Sequence, residues 1–298
     1  MCILPRHGRL VRIIVCFVVS AEFVEKIQDL YYSNIAIKSP EIDKAPETVK
    51  GAIEFRDVSL QYGSAKVLDH VNLEIKPGET VGIMGPTGSG KTTLINLIAR
   101  FTDASEGTVL VDGVDVRDYQ LQKLRGSIGM TMQDVFLFSD TLESNIVYGV
   151  PDAPMEVVER AAKAADVSSF VKDMAEGYDT IIGERGTGLS GGQKQRISLA
   201  RALAVDTSIL ILDDTTSAVD METEKYIQEQ LRALPRKATT IIIAQRVSSV
   251  MHADKIVILD KGRITEEGTH RELMQNPKGY YYKTCVLQHG GLAEGGEA

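Results

Sequence analysis

This 298-residue chain has few cysteines and no excess of basic residues, and both facts limit the classes of protein to which it can belong. It is poor in cysteine, with only Cys2, Cys16 and Cys285, and these lie too far apart to form a metal-binding motif. We expect free thiols in a reducing compartment. It also has no excess of basic residues, because its net charge is −8. Proteins that bind nucleic acid normally carry a basic face, so the composition argues against nucleic acid as a partner.

A long apolar run near the N-terminus is missing as well. The apolar stretch at 13–19 follows several basic residues and superficially resembles a signal peptide. It is far shorter than the ~20 residues needed to span a bilayer. Residues 20–30 have helical spacing, and residues 31–50 are polar with two prolines. We interpret residues 1–50 as the end of a last transmembrane helix followed by a linker.

The rest of the chain alternates predicted strands with predicted helices. Strands are predicted at 53–60, 71–75, 80–84, 109–111, 128–132, 208–212, 239–243 and 255–259. Helices are predicted at 92–101, 155–173, 192–205 and 221–233. This order predicts an α/β fold with a largely parallel sheet. The stretch at 134–205 is mostly helical and predicts a separate lobe, while the Gly/Glu-rich residues 289–298 predict a disordered tail.

A complete phosphate-binding motif lies between a predicted strand and a predicted helix. Residues 85–92 match G-x-x-x-x-G-K-[ST]. Gly88 and Gly90 allow the backbone to wrap around phosphates, and the following helix N-terminus adds a partial positive charge. Lys91 is expected on the β- and γ-phosphates, and Thr92 on Mg²⁺. The predicted phosphate-binding residues are Gly85, Pro86, Thr87, Gly88, Ser89, Gly90, Lys91, Thr92 and Thr93.

The predicted strand at 208–212 ends in two carboxylates, Asp213 and Asp214. Asp213 is placed to hold Mg²⁺, as in other P-loop nucleotidases. Asp214 is placed to orient or deprotonate an attacking water. A solvated acidic strand end is the alternative, and the P-loop upstream favours the catalytic interpretation.

A short segment between these two motifs resembles the signature sequence of the ATP-binding cassette family. It consists of Leu189, Ser190, Gly191, Gly192 and Gln193. The resemblance covers about residues 51–288. It implies a RecA-like P-loop core with an antiparallel β subdomain and a helical subdomain. It also implies that two cassettes close head to tail around two ATP molecules, each signature facing the γ-phosphate held by the other.

Further positions carry over from the family one by one. Tyr62 matches the aromatic residue that stacks on adenine, and Gln133 matches the glutamine that touches Mg²⁺ and communicates with the membrane domains. Asp220 ends the segment at 217–220, which matches the family loop that crosses the dimer interface. The segments at 136–146, 183–186 and 264–270 are similar to those of exporters. The resemblance therefore implies an ATPase that partners exporter transmembrane domains at the cytoplasmic face of the membrane.

Two positions depart from the family pattern. Asp214 stands where the family has glutamate, and Gln245 stands where it has the switch histidine. The aspartate carboxylate lies ~1.5 Å further back, and glutamine cannot be protonated. With an intact P-loop and signature, the chain resembles the slow-site half of a heterodimeric exporter.

Other functions remain open from the sequence. A regulatory cassette would use ATP as a dimerisation switch with little hydrolysis. Measurement of ATP turnover separates it from a cassette that hydrolyses ATP to drive transport. A soluble cassette associated with DNA or ribosomes is a third hypothesis, which the acidic charge and the exporter-like segments disfavour.

Overall fold

The computed structural model describes residues 37–234 and 238–288. The predicted helix end at 20–30 and the predicted tail at 289–298 lie outside these ranges. The described fold belongs to a compact unit that begins at Ser39. The later part of the predicted linker belongs to this unit: Ser208 Oγ donates to Val49 O (2.6 Å) and Lys50 N donates to Asp112 Oδ2 (2.6 Å).

A four-stranded antiparallel sheet forms one layer. Its strands are β1 (Ile53–Tyr62), β2 (Ala65–Ile75), β4 (Glu106–Val111) and β5 (Val114–Asp115), in the order β2-β1-β4-β5. The alternation in β1 explains its placement, because Ile53 and Phe55 are buried while Arg56 is exposed. This sheet is the antiparallel subdomain that the family resemblance implies.

The second sheet has six strands and is largely parallel. Its members are β3 (Thr80–Met84), β6 (Ile128–Thr131), β7 (Ile209–Asp213), β8 (Thr239–Ile243), β9 (Lys255–Asp260) and β10 (Arg263–Gly268). Their order is β10-β9-β3-β8-β7-β6, and only β10 is antiparallel to its neighbour. Every residue of β7 is buried, as expected for a parallel strand covered on both faces. The predicted α/β fold with a largely parallel sheet is confirmed.

Ten α-helices connect or cover the strands in the described residues. They are α1 (Lys91–Ile98), α2 (Leu121–Gly126), α3 (Leu142–Ile146), α4 (Met155–Ala164), α5 (Ser168–Val171), α6 (Gly191–Ala204), α7 (Met221–Arg232), α8 (Val247–Val250), α9 (His270–Leu273) and α10 (Tyr280–Gln288). Within the ranges that the structure describes, none of the helices is long and apolar enough to span a bilayer.

One predicted helix is wrong in its extent. The pattern at 155–173 predicts a continuous helix, but the chain forms α4 and α5 with a break between them. Asp166 adopts a φ of 56°, in the left-handed region that a right-handed helix excludes. Its carboxylate accepts hydrogen bonds from Ser169 Oγ (3.0 Å) and Arg196 Nη1 (2.6 Å). These local contacts stabilise the break.

Helices α3 to α6 surround a hydrophobic core of their own. It includes Leu142, Ile146, Val158 and Ile197, all fully buried. Leu210 and Leu212 of β7 join the same cluster, so the helical segment packs directly against the parallel sheet. This packing fixes α6 relative to the carboxyl end of β7, where the predicted catalytic residues lie.

Candidate functional site

The predicted phosphate loop turns between β3 and α1, and its glycines have separate roles. Gly85 has a φ of 145°, and a Cβ there would lie 1.9 Å from Leu259 O. Gly85 therefore allows the close packing of the loop on β9. Gly88 has a φ of 78° and would meet no atom within 4 Å. Its backbone faces open space, as a loop that cradles phosphates requires.

Lys91 is held by the loop that it follows. Its Nζ donates to Gly85 O (2.9 Å) and Pro86 O (2.8 Å). Burial lowers the pKa of Lys91, and the carboxylates of Asp213 and Asp214 oppose this shift. The ammonium is thus already located at the loop, where it can exchange carbonyl partners for phosphate oxygens.

The acidic side of the site comes from the end of β7. Thr92 Oγ1 donates to Asp213 Oδ2 (3.0 Å), and Asp213 is only 3% exposed. Burial raises the pKa of Asp213. Asp214 follows with a φ of 50°, and its N–H donates to Ile243 O (3.0 Å). This turn ends the strand.

Most of the predicted site residues line one cavity of about 230 Å³. They are Thr87, Gly88, Ser89, Gly90, Lys91, Thr92, Thr93, Gln133, Asp213, Asp214 and Gln245. Val67 also lines it, and its apolar alternation in β2 gives no sign of this role. Gly85 and Pro86 line a neighbouring cavity instead. Tyr62 lines neither of these cavities and is 54% exposed at the end of β1.

The donor set fits Mg²⁺ carried in with a nucleotide. Among the described residues, no group of three or more His, Cys, Asp or Glu side chains could hold a metal ion alone. Mg²⁺ in phosphoryl-transfer sites is typically held by one or two carboxylates together with substrate phosphates and waters. Asp213 and Thr92, with Gln133 in the same cavity, provide such a partial set.

The signature residues lie outside this cavity, at the start of α6. Ser190 Oγ accepts from Gln193 N (3.2 Å), and Gln193 Oε1 accepts from Ser190 N (2.9 Å). This capping box begins a 14-residue helix, and Ser190 and Gly191 are exposed. The structure does not bring the signature to the chain's own phosphate loop.

Asp220 also lies away from the cavity. It caps α7, and its Oδ1 accepts from Thr223 N (2.9 Å) and Glu222 N (3.1 Å). The hydrogen bond from the Thr223 backbone is the main cause that lowers the pKa of Asp220. The residue fixes the C-terminal end of the loop at 217–220.

Two residues near the site have roles that the sequence did not predict. Gln195 Nε2 donates to Asp214 O (3.2 Å) and Ser217 Oγ (2.9 Å), and its Oε1 accepts from Ala218 N (3.0 Å). It therefore joins the signature helix to the end of β7. A polar residue on a helix surface carries no sequence signal for contacts with a loop about 20 positions away.

Arg246 is the second such residue. Its Nη2 donates to Ser217 O (3.0 Å), and its Nη1 donates to Val219 O (3.2 Å) and Glu224 Oε2 (3.3 Å). Glu224 is 2% exposed, so this ion pair is buried on its acidic side. Arg246 thereby connects the segment that carries Gln245 with the loop at 217–220.

Comparison with known proteins places this site in a family. The sequence profile of the ABC transporter family matches residues 68–217. An ATP-dependent lipid A-core flippase of Desulfotalea psychrophila is 48% identical over 241 residues, which cover 79% of this chain and 42% of that protein. YgaD of Bacillus subtilis, named as a candidate multidrug export ATP-binding/permease protein, is 48% identical over 78% of this chain and 41% of its own length.

A solved structure agrees with these relatives. A bacterial Atm1-family ABC exporter with ATP bound matches the fold with a TM-score of 0.85 and 35% identity, over 94% of this chain and 49% of that chain. The present chain thus spans less than half the length of these relatives. The profile match contains the P-loop, the signature and the paired aspartates. The chain therefore belongs to the ABC transporter family and corresponds to the ATPase domain of that family.

Proposed function

We propose that this chain binds Mg·ATP in the 230 Å³ cavity and that its hydrolysis drives an exporter-type membrane transporter. The convergence of the phosphate loop, Asp213, Asp214, Gln133 and Gln245 around that single cavity carries the proposal. Lys91 binds the β- and γ-phosphates, while Asp213, Thr92 and Gln133 hold the Mg²⁺ that accompanies them. Water attacks the γ-phosphate, oriented by Asp214 and assisted by a hydrogen bond from Gln245.

The surroundings of Asp214 support a slow site. Its N–H donates to Ile243 O and its carbonyl accepts from Gln195 Nε2. Because the backbone is held on both sides, it cannot advance to compensate for the missing methylene without breaking these bonds. Misplacement of a catalytic group by about 1 Å can reduce a rate by ~10². We therefore propose that this site binds ATP and hydrolyses it slowly.

The position of the signature supports a second cassette as partner. Ser190 and Gly191 are exposed at a helix N-terminus, which is a favourable place for an anion. They line no part of the chain's own cavity. In the proposed head-to-tail dimer they complete the site of a partner that carries glutamate and histidine at the two altered positions, and the loop ending at Asp220 crosses the interface.

An aromatic patch supports docking of a transmembrane domain. Phe136 is 52% exposed and Tyr148 is 57% exposed. Phe138 stacks on Tyr148 with ring centroids 4.3 Å apart, and Arg201 Nη1 donates to Phe136 O (2.9 Å). Phe136, Phe138 and Tyr148 thus form an aromatic patch that is partly exposed to solvent and held in place by these contacts.

The patch lies close in sequence to Gln133, which lines the ATP cavity. The exporter relatives are more than twice as long as the segment they share with this chain. We assign the patch to a transmembrane domain of the same transporter. In this proposal the chain lies at the cytoplasmic face of the cell membrane.

A regulatory cassette is the second candidate, and the departures at Asp214 and Gln245 favour it. Such a protein would close around ATP and open without appreciable turnover. Neither the acidic net charge nor the aromatic patch favours a cassette that acts on nucleic acid.

Restoring the two altered residues tests the slow-site proposal. The variant Asp214→Glu with Gln245→His should raise the single-turnover rate by up to ~10², and by much more than either single change, because both groups act on one transition state. The affinity for Mg·ATP should stay the same, since Lys91 and Thr92 are unchanged. The assay must place an intact signature opposite this site, which a dimer of two copies of this chain would do.

Two controls accompany this experiment. Asp173→Glu makes the same change at an exposed position of the helical segment and should leave the rate unaltered. Thermal unfolding must also be compared, because a left-handed φ suits aspartate better than glutamate. A stably folded double variant with no gain in rate would contradict our explanation of the slow site.

Tyr62 provides a smaller test of nucleotide placement. If it stacks on adenine, Tyr62→Ala should weaken Mg·ATP binding by ~1–3 kcal/mol, as stacking of bases on aromatic rings does. Affinity can be measured by calorimetry. Ile181→Ala removes a side chain that is also largely exposed (73%) and should have no effect. Equal affinities for the parent and Tyr62→Ala would exclude Tyr62 from the adenine site.

A further inference from the structure

The C-terminal helix α10 ends in direct contact with the segment that carries Gln245. Gln288 is its last residue, and its Nε2 donates to Gln245 O (2.7 Å). The Oε1 atom of the same amide accepts from Val247 N (2.8 Å). The amide of Gln288 therefore hydrogen-bonds to backbone groups of the two residues that flank Arg246. We call residues 245–247 the switch segment.

Helix α10 is well anchored at its other end. Tyr281 is fully buried, and its hydroxyl lies 2.6 Å from His270 Nδ1. Tyr280 N donates to Glu266 Oε1. The first turn of the helix that carries Gln288 is therefore anchored to the rest of the fold.

The same helix forms part of a wall beside the hydrolytic residues. A second cavity, of about 460 Å³, lies next to the phosphate loop. Its lining includes Gly85, Pro86, Asp214, Gln245, Thr284 and Gln288. Helix α10 therefore faces the side of the site where Asp214 and Gln245 act.

The switch segment is also held on its other side. Arg246 donates to the carbonyls of Ser217 and Val219, in the loop proposed to cross the dimer interface. Gln288 and Arg246 thus hold one short segment from two directions. Both sets of hydrogen bonds therefore restrain the chain at and directly after Gln245.

We propose that Gln288 is a positioning residue for Gln245, and that the C-terminal helix thereby sets the hydrolytic rate of this ATP site. This inference rests on the proposed ATPase function of the same site. Loss of the two hydrogen bonds leaves Arg246 to hold the switch segment from one side, and the Gln245 amide no longer meets the γ-phosphate in a fixed geometry. Nucleotide affinity is retained because Lys91 and Thr92 belong to other elements.

Two substitutions at Gln288 separate its two hydrogen bonds. Gln288→Leu removes both at similar volume, and Gln288→Glu keeps an acceptor for Val247 N–H but has no donor for Gln245 O. The control Leu287→Ala alters the neighbouring side chain, which is 82% exposed. Three quantities are measured on the full chain: hydrogen exchange at the Val247 amide without nucleotide, affinity for a fluorescent ATP analogue with Mg²⁺, and the single-turnover rate.

We expect Gln288→Leu to reduce the single-turnover rate by about 10- to 100-fold with unchanged affinity. The Val247 amide should exchange about fivefold faster, as expected from loss of one hydrogen bond. Gln288→Glu should keep the Val247 protection but share the loss of rate. Leu287→Ala should match the parent in every measurement.

Different results would refute the proposed ATPase function and the proposed role of Gln288. A parent chain that does not bind Mg·ATP would refute the proposed function. Binding by the parent with an unchanged rate in Gln288→Leu would refute only the role of Gln288, even if Val247 exchanged faster. A joint loss of affinity and thermal stability would also refute it, because it would show that Gln288 only maintains the fold.

Discussion

Lys91→Ala should weaken Mg·ATP binding by ~100-fold or more. Among the described residues that line the ATP cavity, Lys91 is the only cation, and Asp213 and Asp214 line the same cavity. Without the ammonium, the triphosphate would meet two carboxylates with no side-chain charge to offset them. A hydrogen bond to a charged group contributes about 1.5–3 kcal/mol. Repulsion between the triphosphate and the two carboxylates weakens binding further. Calorimetry or a fluorescent ATP analogue measures the change.

Structural damage must be separated from this loss of charge. Lys91 Nζ also contacts the carbonyls of Gly85 and Pro86, so thermal unfolding without nucleotide shows whether the loop still folds. Lys172→Ala removes a positive charge from an exposed position of the helical segment and should leave binding intact. Parent-like affinity in a folded Lys91→Ala variant would refute the nucleotide site itself.

Ser190→Arg should abolish the ATPase activity that a mixed dimer shows at the partner's site. A long cationic side chain at the start of α6 would occupy the position proposed for the partner's γ-phosphate. This chain's own affinity for ATP should stay unchanged, because Ser190 does not line its cavity. The activity is measured with a partner cassette that carries glutamate and histidine at the two altered positions.

The helix cap needs its own control in this experiment. Ser190 Oγ accepts from Gln193 N, and loss of an N-cap destabilises a helix by about 1 kcal/mol. Ser190→Ala removes the cap without adding bulk, and we expect it to retain measurable mixed activity. Full mixed activity in Ser190→Arg would show that this signature does not act on the partner's nucleotide.

The sequence predicted the parts of the site that depend on local order. The phosphate loop follows a short buried strand and precedes a helix, so one motif determines its conformation. Asp213 could be placed because an apolar strand runs directly into it. In contrast, β10 has the polar sequence RITEEG, and only its pairing with β9 makes it a strand.

Contacts between distant segments could not be predicted. Gln195, Arg246 and Gln288 each contact backbone atoms that lie far away in sequence, and nothing in their local pattern indicates this. The left-handed conformation of Asp166 also depends on tertiary contacts, through Arg196. Helical periodicity on both sides of it therefore predicted a continuous helix.

The contact made by Gln195 has a thermodynamic consequence for the proposed dimer. The helix that begins at Ser190, which we propose to face the partner's nucleotide, also holds the carbonyl of Asp214 through Gln195. If occupancy of one site shifts this helix, the free energy of the other site changes with it. Linkage requires the effect to be mutual: ATP bound at this chain's own site must alter affinity at the partner's site by the same factor. A site that rarely turns over would then still set how tightly the faster site holds its nucleotide.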